Sequence, residues 1–232
     1  LIGYAAGSAL VEGGSNVAIG YAALATEDAH GANVAIGYNV LTQQNAGANA
    51  LNVAIGYNAA GSVTTGTANT IVGAEAGDAL TTGVDNVALG KSALSTEDTG
   101  SRNVAIGKSA LQNLNAGANA SNVAVGFEAG LSVSTGYDNT LIGGSAGDAL
   151  TVGIANTALG KDALGASVDG AFNTALGYKA LEDYEDGAGN GHNTAVGARS
   201  QLNATTGEFN TSLGSLSIGS GVLTGDNNVS VG

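Results

Sequence analysis

Asn103-Val104-Ala105-Ile106-Gly107 decides how this chain folds, because the chain keeps returning to it. It recurs as Asn16-Val17-Ala18-Ile19-Gly20, as Asn156-Thr157-Ala158-Leu159-Gly160 and as Asn193-Thr194-Ala195-Val196-Gly197. The glycines that close the unit are Gly3, Gly20, Gly37, Gly56, Gly73, Gly90, Gly107, Gly126, Gly143, Gly160, Gly177, Gly197, Gly214 and Gly232. Most steps are 17 residues; Gly37–Gly56 and Gly107–Gly126 are 19, Gly177–Gly197 is 20 and the last is 18. The two 19-residue steps lie 70 residues apart, and Val17 to Asn86 aligns without a gap on Val87 to Asn156. Ala46-Gly47-Ala48-Asn49-Ala50 has its copy in Ala116-Gly117-Ala118-Asn119-Ala120. Four units make a block, and the blocks repeat. Short units at a fixed period stack into a quasi-one-dimensional body.

Each unit reads as a strand, a turn, a second short strand and a variable loop. The expected fold is all-β: a parallel β-solenoid, of β-roll or β-helix type, with about fourteen short rungs. Residues 1–232 form a single repeat region, and the chain reads as a window from a longer fibre, since Leu1-Ile2-Gly3 matches the mid-unit Leu141-Ile142-Gly143. A leucine-rich repeat also carries an Asn column, but its period is about 20–29 residues with more Leu per unit. The segment after the glycine, such as Tyr21-Ala22-Ala23-Leu24-Ala25, could form one helical turn. A 17-residue step leaves little room for a useful helix, which favours a strand or an extended turn with its Leu in the core.

Composition narrows the function. The 232 residues hold 39 Gly and no Pro, which suits a backbone hydrogen-bonded nearly throughout, because proline cannot donate to a β-ladder. A net charge of −13 argues against nucleic acid or an anionic membrane surface as partner, since both need clustered Lys and Arg. There is no Cys, hence no disulfide or zinc-thiolate site. No apolar run has transmembrane length. No Ser-His-Asp set, phosphate loop or calcium signature emerges, so neither catalysis nor a cofactor or metal is expected.

Within the strand, Val104 and Ile106 face one way and Ala105 the other. Both faces are apolar, as in strands buried on both sides. A single thin solenoid covers only one of them, so several copies about a common axis, a homotrimer, would cover the second. On this reading Ile106 fills the rung core and Ala105 lies between chains.

Stacking turns each position into a column. The Asn column runs through Asn16, Asn33, Asn52, Asn69, Asn86, Asn103, Asn122, Asn139, Asn156, Asn173, Asn193 and Asn210. Its amides are expected to bond from rung to rung. After the closing glycine come Tyr4, Tyr21, Tyr38, Tyr57, Phe127 and Tyr178, which either shield bare backbone or stack on sugar rings. Thr26-Glu27-Asp28 and Thr96-Glu97-Asp98 read as solvated turns. Asp78 and Asp148 take the place of Ser8, which marks a turn residue. The third block departs most, with Glu182-Asp183-Tyr184-Glu185-Asp186 and a Gly-rich insertion. Any ligand site in this window is expected there, an aromatic and several carboxylates together on an exposed loop.

The Asn-(Val/Thr)-Ala-(Ile/Leu)-Gly units followed by Ala-Leu resemble the repeats of phage and bacterial tail-fibre-type proteins. They are also similar to the head repeats of YadA-like trimeric autotransporter adhesins, although the 17-residue step is longer than is typical there. The resemblance implies a trimer of parallel β-rolls on a virion or cell surface, used for attachment, with a cell-surface glycan or protein as receptor. The alternative is a self-assembling extracellular filament subunit without a receptor site of its own.

Overall fold

The computed structural model describes residues 1–28, 31–117, 119–184, 191–219 and 224–232. The chain divides into two compact units, Leu1–Ala120 and Ser121–Gly232. The first holds β1 (Val17–Ile19), β2 (Val34–Tyr38), β3 (Val53–Tyr57), β4 (Thr70–Val72), β5 (Val87–Leu89) and β6 (Val104–Ile106). The second holds β7 (Val123–Val125), β8 (Thr140–Ile142), β9 (Thr157–Leu159), β10 (Thr174–Leu176), β11 (Thr194–Val196), β12 (Thr211–Leu213) and β13 (Val229–Val231). Within each unit every strand pairs in parallel with the next in sequence, and like pairs with like. Val87, Ala88 and Leu89 lie beside Val104, Ala105 and Ile106; Thr157, Ala158 and Leu159 lie beside Thr174, Ala175 and Leu176. An isolated parallel bridge from Ile2 to Ile19 marks the rung before β1. The fold is the expected β-solenoid, with no helix among the described residues.

The segment after each glycine is a turn rather than the expected second short strand, and it also bonds between rungs. Gly90 N donates to Val72 O, Ser92 N to Ala74 O and Leu94 N to Ala110 O, at 2.8–3.0 Å. The first two of these donors point to the preceding rung and the third to the following one, so the turn is tied to both neighbours. Reversal of the chain is achieved by positive φ at recurring points after the closing glycine, mostly at non-glycine residues such as Ser92 (55°), Leu94 (54°) and Arg102 (62°), with Gly77, Gly130 and Gly147 at the second point of their rungs. The closing glycine is required twice over. Gly90 has φ of 141°, and a Cβ there would land on the carbonyl of Gly107 one rung on.

The interior corrects one expectation. Ala18, Ala35, Ala88 and Ala105 are completely buried, whereas the flanking Val and Ile of the same strands are half-exposed or exposed. Ala105 is therefore in the rung core and Ile106 on the outer face, the reverse of the sequence reading. The cause is lack of room: the same rung's turn folds a Leu beneath the strand, and Ala88 and Leu94 are both fully buried. Where the strand centre is large the turn is small. Ile71 stands over Gly77, whose added Cβ would come within 3.2 Å of the Ile71 side chain, and Leu141 stands over Gly147 in the same way, 70 residues later. The exchange of volume keeps the rung close-packed.

A second inward column lies seven residues after each closing glycine: Val63, Leu80, Leu114, Val133 and Leu150 are all fully buried. Glu27 and Glu97 occupy this same column and are fully buried too. The Thr-Glu-Asp stretches are thus not simply solvated turns; their middle residue points into the coil. Glu97 shows why. Its Oε1 accepts from Gly100 N at 2.7 Å and its Oε2 from Ala116 N at 3.2 Å, the latter in the enlarged loop of the next rung. At the tip of that loop, Gly117 has open space around it.

Candidate interaction face

Asn and the strand's central Ala sit two residues apart and share the inward face. Asn33, Asn52, Asn69, Asn86, Asn103, Asn122, Asn139, Asn156, Asn173, Asn193 and Asn210 are buried, and Asn16 is half-buried. Within each unit, Oδ1 accepts the backbone N–H of the Asn one rung on. Asn86 N reaches Asn69 Oδ1 and Asn103 N reaches Asn86 Oδ1, both at 3.0 Å. In most rungs Nδ2 crosses to a glycine carbonyl, as from Asn86 to Gly100 O at 2.9 Å, whereas Asn33 Nδ2 is buried without a partner among the described residues. In the second unit the same ladder runs from Asn122 to Asn228, with Asn228 N on Asn210 Oδ1 at 2.8 Å. Asn228 was missing from the column inferred from sequence, although Asn228-Val229-Ser230-Val231-Gly232 fits the pattern. With its amides engaged in this way, the column is structural scaffold rather than a ligand array.

What the strands present to the outside is aliphatic. In the first unit the two outward columns are Val17, Val34, Val53, Thr70, Val87, Val104 and Ile19, Ile36, Ile55, Val72, Leu89, Ile106. Only one of these twelve is polar. Val17 is 41% and Leu89 46% exposed. The second unit keeps the aliphatic column but has Thr140, Thr157, Thr174, Thr194 and Thr211 in the other.

Aromatic rings line the margins of these faces. Tyr4, Tyr21, Tyr38 and Tyr57 stack with centroids 5.1–5.3 Å apart and near-parallel planes. Their inner ring faces cover one another, so the row offers edges and hydroxyls to solvent; a sugar stacks on a ring face. Phe172, His192 and Phe209 form a second stack at 4.9 and 5.0 Å. Around Tyr178 the neighbours are cationic: Lys161 Nζ, Lys179 Nζ and Arg199 Cζ lie 5.9, 5.8 and 5.8 Å from the ring centroid. Lys161 pairs with Asp162 at 2.6 Å and Lys179 with Glu182 at 2.7 Å. Those hydrogen bonds raise both ammonium pKa values above the ordinary lysine range.

The third-block loop differs from its expected form. Tyr184 is fully buried, the largest such side chain among the described residues, so no aromatic stands on an exposed edge here. It occupies the inward column, and the rung before it has Ser167 where the other blocks have Glu27 and Glu97. The small residue makes space for the ring, which lies 3.0 Å from where a Cβ on Gly170 would be. Glu182 is half-buried in its ion pair and Asp183 is exposed. Glu185, Asp186 and the Gly187–Gly189 part of the insertion lie outside the described residues, as does His30.

Asp78 and Asp148, half-buried at the turn, have pKa values raised first by desolvation and then by carboxylate neighbours, Glu75 for Asp78 and Asp162 and Glu128 for Asp148. Among the described residues no group of three or more His, Asp or Glu is arranged to hold a metal, and no pocket forms. No described helix is long and apolar enough to cross a membrane. Comparison with protein-family models, with curated proteins and with solved structures gave no match.

Proposed function

We propose that this chain is a structural segment of a trimeric fibre, a phage tail fibre or a bacterial surface adhesin, acting outside the cell in attachment. One observation carries the reading: the outward strand face of the first unit is aliphatic in rung after rung and at least partly exposed in every strand. Scattered exposed aliphatics are ordinary, but a contiguous patch marks an interaction surface. A ladder with a fixed rung spacing is covered best by another ladder of equal spacing, because registry then holds at every rung. Three copies follow from the resemblance of the repeats to trimeric fibres. The Asn ladder and the volume-matched core suit a stiff scaffold, and the reading assigns it no catalysis. Light scattering tests it. The expected mass is three times the 22.2 kDa chain. A monomer would overturn the proposal, and an open polymer growing with concentration would favour the filament subunit instead.

A further inference from the structure

Positive charge is scarce in this chain, six Lys and Arg against nineteen Asp and Glu, yet half of it gathers around one exposed ring. Lys161, Lys179 and Arg199 come from three successive rungs, at the first or second position after Gly160, Gly177 and Gly197. The equivalent pairs in the first block are Tyr21-Ala22, Tyr38-Asn39 and Tyr57-Asn58, all uncharged. The scaffold therefore does not require cations there. Cation–π attraction keeps the three head groups at the ring and out at the surface. Lys161 and Lys179 each share their charge with one carboxylate, whereas Arg199 has no ion-pair partner among the described residues. Against these three cations at the ring stand two paired carboxylates, with Asp148 behind Asp162, so Arg199 is the cation that faces outward unpaired among the described residues.

We infer that the Tyr178 cluster, with Arg199 and Lys161 as its main contacts and Lys179 beside them, binds an acidic polysaccharide through its carboxylate or sulfate groups. The guanidinium fork matches either group in bidentate fashion. A polymer fits better than a small anion. The site is open, and a single exposed ion pair contributes little, so affinity has to build from several charges engaged at once. Charge density then separates the polyanions. A duplex nucleic acid carries one charge per about 1.7 Å and would meet the acidic remainder of the surface all along its length. A polysaccharide with one charge per sugar can place its charges at the cluster and meet less repulsion elsewhere. The inference deepens the attachment reading by giving it a ligand class.

The test uses the full chain over immobilised polygalacturonate, which carries carboxylates, and dextran sulfate, with neutral dextran as control. Binding to at least one acidic polymer is expected, falling steeply with salt. Arg199→Ala with Lys161→Ala should weaken it about tenfold or more, and Arg102→Ala, a cation elsewhere on the chain, should leave it unchanged. Circular dichroism and light scattering on the same samples check that fold and assembly survive. Equal binding to neutral dextran, no binding at all, or equal loss with Arg102→Ala would overturn the site. A trimer that binds neither polymer sinks this inference alone, while a monomer that binds one keeps the site and sinks the fibre reading.

Discussion

A buried Asn is tolerated only because it completes a chain of partners. Asn86 accepts from the backbone of Asn103 and gives its own amide to Gly100 O, all out of water. Net, such bonds contribute about 1 kcal/mol each, but an orphaned buried group costs about 1–3 kcal/mol. Asn86→Ala should therefore lower stability by about 2–4 kcal/mol, read from the denaturant midpoint. A loss below about 0.5 kcal/mol, the range of inert surface changes, would show that the ladder contributes little. Asp148 works in the opposite direction. Its raised pKa, due mainly to desolvation, means that the fold disfavours its ionised form. The cost to stability is complete above the raised folded value and fades as pH falls toward the ordinary 3.8. Asp148→Ser, the residue found at the equivalent Ser8, should raise the thermal midpoint at neutral pH. The gain should vanish below 3.8. A gain independent of pH would locate the effect elsewhere.

At the level of the rung, two devices keep a 17-residue turn closed. One is the exchange of volume between strand centre and turn, large over small at Ile71/Gly77 and Leu141/Gly147, small over large at Ala88/Leu94. Ala88→Ile alone should over-pack the rung by about 1–3 kcal/mol, and Leu94→Gly alone should leave a cavity costing about 2–5 kcal/mol. Together they rebuild the Ile71/Gly77 pairing, so the double variant should lose at least about 1 kcal/mol less than the two single losses combined. Simple additivity in the denaturation series would show that the two positions do not share space. The other device is the inward carboxylate. Glu97 ties its own turn to the enlarged loop one rung on through Gly100 N and Ala116 N. Glu97→Leu fills the column as Leu80 and Leu114 do but strands both amides, and should cost about 2–4 kcal/mol. Faster hydrogen exchange at Ala116 would trace that loss to the loop, and unchanged exchange there would refute the tie.

For the chain as a whole, the repeat made the solenoid and its in-register pairing legible, because period and like-with-like stacking are properties of sequence alone; the expected fourteen rungs compare with thirteen strands among the described residues. The inward and outward faces were legible too, but only by combining two columns. Asn16 and Ala18 share a parity, so a dry amide ladder commits Ala to the interior and sends Val17 and Ile19 outward. Taking bulk as the mark of a core reverses that answer, since larger aliphatics usually lie inside. Glu97 and Tyr184 were assigned to solvent for a related reason: loop composition suggests exposure, while the seven-residue offset from the glycine places both in the core column. The reversal changes what assembly requires. If copies of the chain meet on the outward aliphatic face, Ile36→Asp puts a charge into the contact between chains but leaves the rung interior intact. Ala35→Asp puts the same charge into the interior, where an unpaired carboxylate has no water and no partner. The first variant should keep its β-sheet circular dichroism while its mass falls from trimer to monomer, and the second should lose the fold altogether. An Ile36→Asp protein that stays trimeric would exclude this face as the interface. An Ala35→Asp protein that folds would return Ala to the outside, and with it the trimer contact to the small-residue column.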